Sequence, residues 1–215
     1  MAKYLIHACP QREWYVRDYL VPSMQSQGIE NINVFVDEHG LGCLQSFVIS
    51  SKEYCNENTN EGTWHLQDDV LICSDFKERT EKLDYDIMCG FACTYDDNPS
   101  PGDCNPKTMW WSFPCIRIPD NIVWGFARWM DKRWTDSNYR MYVRAKKFDD
   151  LLFKIFMEDN YPTYNVHNIS PNLINHIDYL LGGSVINKQR SLGKIESMYW
   201  NEPELVKELE RKLKK

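Results

Sequence analysis

Before residue 40 the chain spells a strand, a helix and a second strand, and that order constrains the fold more than any other feature. Residues 4–8 are a short apolar run closed by Cys9 and Pro10. Residues 11–27 carry Trp14, Val16, Tyr19, Leu20 and Met24 at helical spacing until Gly28 stops them. Residues 32–36 form a second apolar run, followed by Asp37, Glu38, His39 and Gly40. A helix between two strands is the crossover a parallel pair requires. Polar residues therefore collect at the C-terminal edge of the strands, where parallel α/β sheets bind ligands.

The rest of the pattern continues this alternation. Residues 48–51 finish a short helix, and 56–62 are a polar loop. Residues 66–73 cross an acid pair in an apolar, strand-like run, and 74–83 read as a helix with a serine N-cap. Residues 86–94 are the next strand, while 96–107 hold Asn, Pro, Ser and Gly at a density that predicts only a loop. A strand at 112–118 leads into a helix running to Trp134, and a further helix covers 148–158. Residues 161–170 are loop or edge strand, 171–181 are mixed, and 202–214 form a charged helix. The expected fold is α/β: a single Rossmann-like domain over 1–200 with a mainly parallel mixed central sheet flanked by helices. The helix of 201–215 packs on it or extends from it.

Composition narrows the setting. At 215 residues the chain can bury a sizeable core. An aromatic content of 13 % fits an aromatic core and a stacking surface equally. The net charge of −6 gives no global attraction to nucleic acid or anionic membrane. No apolar run approaches the ~20 residues that span a bilayer, and the first residues lack the pattern of a signal peptide. The expectation is a cytoplasmic protein whose 8 cysteines, several inside strand-like runs and none in a CxxC pair, are reduced thiols.

Two pairs of carboxylates invite chemistry. Asp68 and Asp69 stand directly before the apolar residues 70–72. They are either the acids of a water-facing turn or, because a carboxylate beside a buried strand needs its charge offset, the ligands of a hard divalent cation. Asp149 and Asp150 open a helix, where the macrodipole favours anions. They are either caps or a general base. Four cations interleave with aromatics in 139–147, which makes that segment a solvated helix face or a polyanion contact.

Taken together, the opening β-α-β, Trp64-His-Leu-Gln-Asp-Asp-Val-Leu-Ile72, Trp110-Trp-Ser-Phe-Pro-Cys-Ile-Arg-Ile-Pro119 and His176-Ile-Asp-Tyr-Leu-Leu-Gly-Gly-Ser184 resemble small GT-A-type glycosyltransferases, particularly those of bacteriophage genomes. The resemblance spans roughly residues 3–190. It implies a metal-dependent transferase that moves a sugar from a nucleotide-diphosphate donor to a hydroxyl, with Mn²⁺ or Mg²⁺ across the diphosphate as Lewis acid. It makes Asp69 and His176 the metal ligands, with Asp68 nearer the ribose or sugar. Gln67 stands where the family's acidic triplet begins with an acid.

By the same resemblance Asp37 holds the base or ribose, and Cys9 and Pro10 line its pocket. Arg12, and beyond Gly182-Gly183-Ser184 also Lys188 and Arg190, are phosphate contacts. The resemblance makes Asp149 or Asp150 the base of an inverting reaction; Trp110 and Trp111, which follow the polar loop, form an acceptor platform or pack into the core. Retaining chemistry needs no such base. A hydroxymethylated base in phage DNA is one acceptor the resemblance suggests, in a host cytoplasm. Glycans, lipid-linked sugars and protein hydroxyls suit the composition equally. Two other classes compete: a metal-dependent nuclease or nucleotidyltransferase, which would also gather Asp and His around cations, and a non-catalytic module binding through its aromatics.

Overall fold

The computed structural model describes residues 2–82, 87–91, 102–104, 113–134, 149–182 and 200–214; the side chains of 102–104, 149 and 150 lie outside that description. Strand β1 (Lys3–Ala8) leads into a continuous helical segment, α1, over residues 10–26. This segment starts as a 3-10 turn at Pro10–Arg12, passes through a π stretch at Val16–Leu20 and ends at Ser26. Gly28 follows at φ 77°, a left-handed conformation open to glycine at little cost. Then come β2 (Ile32–Val36), α2 (Cys43–Tyr54), β3 (Gly62–Gln67), β4 (Val70–Ile72) and α3 (Phe76–Lys82). The second half holds β5 (Ile87–Cys89), β6 (Gly102–Cys104), β7 (Cys115–Pro119), α4 (Asp120–Arg133), α5 (Asp149–Asn160), β8 (Val166–Asn168) and β9 (Ile174–His176). A 3-10 turn at Asp178–Leu180 and helix α6 (Pro203–Leu213) complete the described elements.

Seven strands form one sheet in the order β2-β1-β3-β7-β5-β8-β6. Strands β2, β1, β3, β5 and β8 run one way, and β7 and β6 run against them. The protein is thus a mixed α/β fold with a mainly parallel central sheet flanked by helices.

Strand alternation divides the core between the two faces. Tyr4, Ile6 and Ala8 of β1 and Trp64 and Leu66 of β3 join Tyr15, Leu20 and Met24 of α1, Phe76 of α3 and Leu209 of α6. On the other face Ile116 and Ile118 of β7 meet α2, α4 and α5. That second layer answers the aromatic question: Phe47, Phe113, Phe126, Phe153 and Phe156 pack ring on ring with centroids 5.0 to 6.5 Å apart. These aromatics are core.

The structure departs from the local sequence pattern in three places. The run 66–73 is not one strand: β3 ends at Gln67, a two-residue turn holds the acid pair, and β4 leaves the main sheet to pair antiparallel with β9. Within the loop-like 96–107, Gly102–Cys104 is a strand at the sheet edge, because β8 offers it a backbone ladder that local composition does not reveal. Val166–Asn168 is correspondingly no edge strand; it sits between β5 and β6. Among the described residues, no helix is long and apolar enough to cross a membrane. The six cysteines whose side chains are described, at positions 9, 43, 55, 73, 89 and 115, are free thiols.

Candidate active site

The parallel strands β2, β1 and β3 end side by side, so Asp37, Cys9 and Asp68 come together at one edge of the sheet. The Asp37 N–H donates to the Ala8 carbonyl at 2.8 Å, and the Cys9 N–H donates to Asp68 Oδ2 at 2.7 Å. Asp37 also ties down its own loop: its two carboxylate oxygens accept the N–H groups of Leu41 and Gly42 at 2.8 Å each.

The acid pair is not a water-facing turn. Arg12, Asp68, Asp69 and His176 are each at 8 % exposure or less. Arg12 Nη1 donates to Asp68 Oδ1 at 3.1 Å and to Asp69 Oδ2. The small sheet supplies the remaining member. Val70 lies opposite His176 in the β4–β9 register, and the Ile177 N–H donates to the Asp69 carbonyl at 2.8 Å. This brings His176 Nε2 to 3.3 Å from Asp69 Oδ1, while Asp178 Oδ1 stands 3.4 Å from Nδ1 of the same ring. Tyr15, buried in α1, donates its hydroxyl to the Val70 carbonyl at 2.9 Å and fixes the turn from below.

The electrostatics follow from this packing. Burial works against the charge on Asp69, but His176 and Arg12 beside it hold its carboxyl well below the usual carboxylate range. Burial, and then the neighbouring Asp69 charge, push Asp68 up against the pull of Arg12. For His176 burial opposes the charged form, yet Asp69 and Asp178 lift it to about 10. Burial and Asp68 push the Cys9 thiol up to about 12, so it is no thiolate nucleophile at neutral pH. Three atoms of the cluster are buried with no hydrogen-bond partner among the described residues: Asp69 Oδ1, His176 Nδ1 and Asp178 Oδ1.

The structure therefore gathers Cys9, Arg12, Asp68, Asp69 and His176, with Asp37 at the same edge and Gln67 half-buried beside the pair. Pro10 is exposed at the start of α1. Arg12 stands against the acid pair, where sequence reasoning assigned it to phosphate. Asp149 and Asp150 form the first turn of α5, their side chains outside the described residues. Trp110, Trp111, Lys188 and Arg190, and the basic segment 139–147, also lie outside the described residues. Sequence reasoning missed Asp178 and Tyr15. The His-x-Asp spacing could have signalled the first; nothing local signals the second. A separate group of metal-ligand type, Cys73, Asp75 and Glu202, lies just ahead of the first residues of α3 and α6. Its Glu202 is engaged by the Ser74 N–H at 3.2 Å.

No protein-family model matches the chain, and no curated protein matches it. Solved structures similar to it include the inositol-1-phosphate CTP transferase from T. maritima, at 11 % identity over 100 % of this chain and 97 % of that one, TM-score 0.43. A putative glucose-1-phosphate thymidylyltransferase from Bacillus anthracis aligns at 7 % identity over 79 % of this chain and 87 % of that one, TM-score 0.42. HddC from Yersinia pseudotuberculosis aligns at 11 % identity over 58 % of this chain and 80 % of that one, TM-score 0.33. Likeness of this degree leaves the chemistry to be read from the site's own residues.

Proposed function

We propose that this protein is a metal-dependent glycosyltransferase that takes a nucleotide-diphosphate sugar as donor and passes the sugar to a hydroxyl. The observation that carries the reading is the buried pair of Asp69 Oδ1 and His176 Nε2, 3.3 Å apart at the C-terminal edge of the parallel strands, which a cation would enter by displacing the Nε2 proton. Two cis ligands of an octahedral cation at ~2.1 Å stand ~3 Å apart, so the pair fits Mn²⁺ or Mg²⁺. Such a cation, when bound, supplies a Lewis acid for the leaving diphosphate.

The chain's own residues divide the remaining work. Arg12 engages Asp69 through Oδ2 and leaves Oδ1 to the cation. Asp68 spends one oxygen on the Cys9 N–H and the other on Arg12, and so braces the loop after β1 against the turn after β3. Asp37 holds its loop through one hydrogen bond per oxygen and keeps a lone pair on each for a ribose hydroxyl. Cys9, Pro10 and Gln67 line the donor pocket, Lys188 and Arg190 meet phosphate, and Trp110 and Trp111 form the acceptor platform. Asp149 or Asp150 takes the acceptor proton in an inverting reaction. Residues 1–200 make up the transferase domain, on which the helix of 201–215 packs through Leu209.

Calorimetry with nucleoside diphosphates, with and without Mn²⁺, tests the reading; absence of any Mn²⁺-dependent binding overturns it. A panel of nucleotide sugars offered with hydroxymethylated DNA, glycans and protein then identifies the acceptor through mass spectrometry. Release of pyrophosphate from a nucleoside triphosphate and a sugar phosphate, with no sugar transfer, replaces the glycosyltransferase by a nucleotidyltransferase. Asp149→Asn and Asp150→Asn separate base from cap. The base variant lowers kcat about 10²-fold at unchanged donor affinity, whereas a cap variant loses about 1 kcal/mol of stability and keeps its turnover.

A further inference from the structure

His176 stands between two carboxylates, one at each ring nitrogen. Asp69 Oδ1 faces Nε2 at 3.3 Å and Asp178 Oδ1 faces Nδ1 at 3.4 Å. Nδ1 and Asp178 Oδ1 are both buried; they stand in ion-pair contact at 3.4 Å, and neither makes an aligned hydrogen bond among the described residues. The backbone holds this arrangement from both sides. The Ile177 N–H is fixed on the Asp69 carbonyl at 2.8 Å, and the 3-10 turn that begins at Asp178 is closed by the Leu181 N–H on the Asp178 carbonyl at 3.0 Å. Phe91 lies against the ring with centroids 6.0 Å apart, so rotating the imidazole would disturb its packing.

Once a cation displaces the Nε2 proton the imidazole carries one N–H and one lone pair, and the partner at Nδ1 decides which nitrogen ligates. We infer that Asp178 is a positioning residue: its Oδ1 pairs with the Nδ1 side of the His176 ring and thereby keeps Nε2 turned to Asp69, where a cation would meet it. The cation half of this inference rests on the function proposed above; the orientation half does not. With no other acceptor at Nδ1 among the described residues, loss of the carboxylate leaves the ring free to present either nitrogen. A ligating histidine without its hydrogen-bonded partner holds metal about ten- to hundredfold less tightly.

The experiment has two readouts on ¹⁵N-histidine-labelled protein, with the His176 signals assigned by comparison with His176→Ala. In the metal-free protein a His176 Nδ1–H protected from exchange is expected in the wild type and lost in Asp178→Ala. In Mn²⁺ titrations Asp178→Ala binds about ten- to hundredfold more weakly, and Asp178→Asn, which keeps an acceptor oxygen, recovers part of that loss. Wild-type Nδ1–H protection together with wild-type Mn²⁺ affinity in Asp178→Ala overturns the inference. Should the alanine variant not fold, an unchanged Nδ1 shift and unchanged Mn²⁺ affinity in Asp178→Asn overturn it equally. A protected Nδ1–H that depends on Asp178, in a wild type that binds no Mn²⁺, upholds the orienting contact and removes the cation from the proposed function.

Discussion

Strands β1 and β3 hold a buried ionic cluster at each end, and the two clusters differ in how fully they are satisfied. At the N-terminal end the fully buried Asp120 accepts from Lys3 Nζ at 2.5 Å, the Thr63 hydroxyl at 2.7 Å and the Asn56 N–H at 2.9 Å. Glu61 adds a second carboxylate 3.4 Å from Lys3. At the C-terminal end Asp69, His176 and Asp178 each keep a buried polar atom with no hydrogen bond among the described residues. Most buried polar groups in folded proteins are paired; the first cluster is closed by short hydrogen bonds, while the second is held by looser ion pairs at 3.3 and 3.4 Å, which leave room for a ligand. The difference separates a structural carboxylate from a candidate ligand more cleanly than burial or charge, which the two ends share.

The comparison breaks most readily at the closed end. Asp120→Ala strands three donors, one of them charged, and a loss of about 3 kcal/mol in urea unfolding is expected, with unchanged Mn²⁺-dependent donor affinity per folded molecule. A mild stability change there would mean that the closed cluster does not hold the fold. At the second end the effect reaches binding as well as stability. Asp69→Asn keeps the volume but removes the charge facing the cation, so donor binding with Mn²⁺ weakens by about 2 kcal/mol, and the melting temperature falls because Arg12 and His176 lose their buried partner. Wild-type affinity in calorimetry would leave Asp69 a structural acid like Asp120.

Protons sharpen the contrast further. His176 is raised to about 10, so its contribution is complete below its unfolded value near 6.5 and is lost as pH rises through 10. Asp69 is lowered, so its contribution is present above the ordinary carboxylate value and is lost as pH falls below it. On the other face of the sheet His7 and His65 stack with ring centroids 5.3 Å apart, His7 Nε2 lying 3.0 Å from His65 Nδ1. Burial pushes His65 down to about 3, and burial with the His65 ring beside it pushes His7 well below its ordinary value. Their neutral forms therefore favour the fold above pH 6.5, and that support is lost as pH falls towards 3. Denaturation midpoints should peak between these limits and decline on both sides, by about 1.4 kcal/mol per pH unit for each group in its titrating range. Asp69→Asn should shrink the alkaline decline and keep the histidine part of the acid one. A wild-type alkaline limb in that variant would break the assigned pairing.

The smallest effect concerns the support of the turn. Tyr15→Phe deletes the hydroxyl that donates to the Val70 carbonyl, and about 1 kcal/mol of stability should go with it. Donor affinity measured by calorimetry should stay close to wild type, since β4 remains paired with β9. A tenfold loss of affinity would show that the second cluster depends on this brace.

Much of the fold was legible because burial leaves a local period. The spacing of Val16, Leu20 and Met24 followed by Gly28 marked α1, and the helix beginning at Asp120 and the charged helix ending at Leu213 were readable in the same way. Asp69 and His176 could each be singled out as residue types with ligand chemistry, and the resemblance set them together. Neither composition nor spacing could show that Arg12 would turn from solvent to the acid pair, or that Gly102–Cys104 would find a ladder on β8.

The sequence by itself determined the α/β class, the alternating order of strands and helices, and the identity of the acids and the histidine that chemistry would need. Tertiary structure decided which of them meet. The chain leaves the main sheet between Gln67 and Val70, and the β4–β9 register sets Val70 against His176 across more than a hundred residues of sequence. That register, with Arg12 on one oxygen of Asp69, sets His176 opposite the other. The physical reason is one of range: side-chain periodicity reports which face of its own element a residue occupies, while the partner across a ladder is chosen by long-range backbone pairing and shared burial, which no local window of sequence contains.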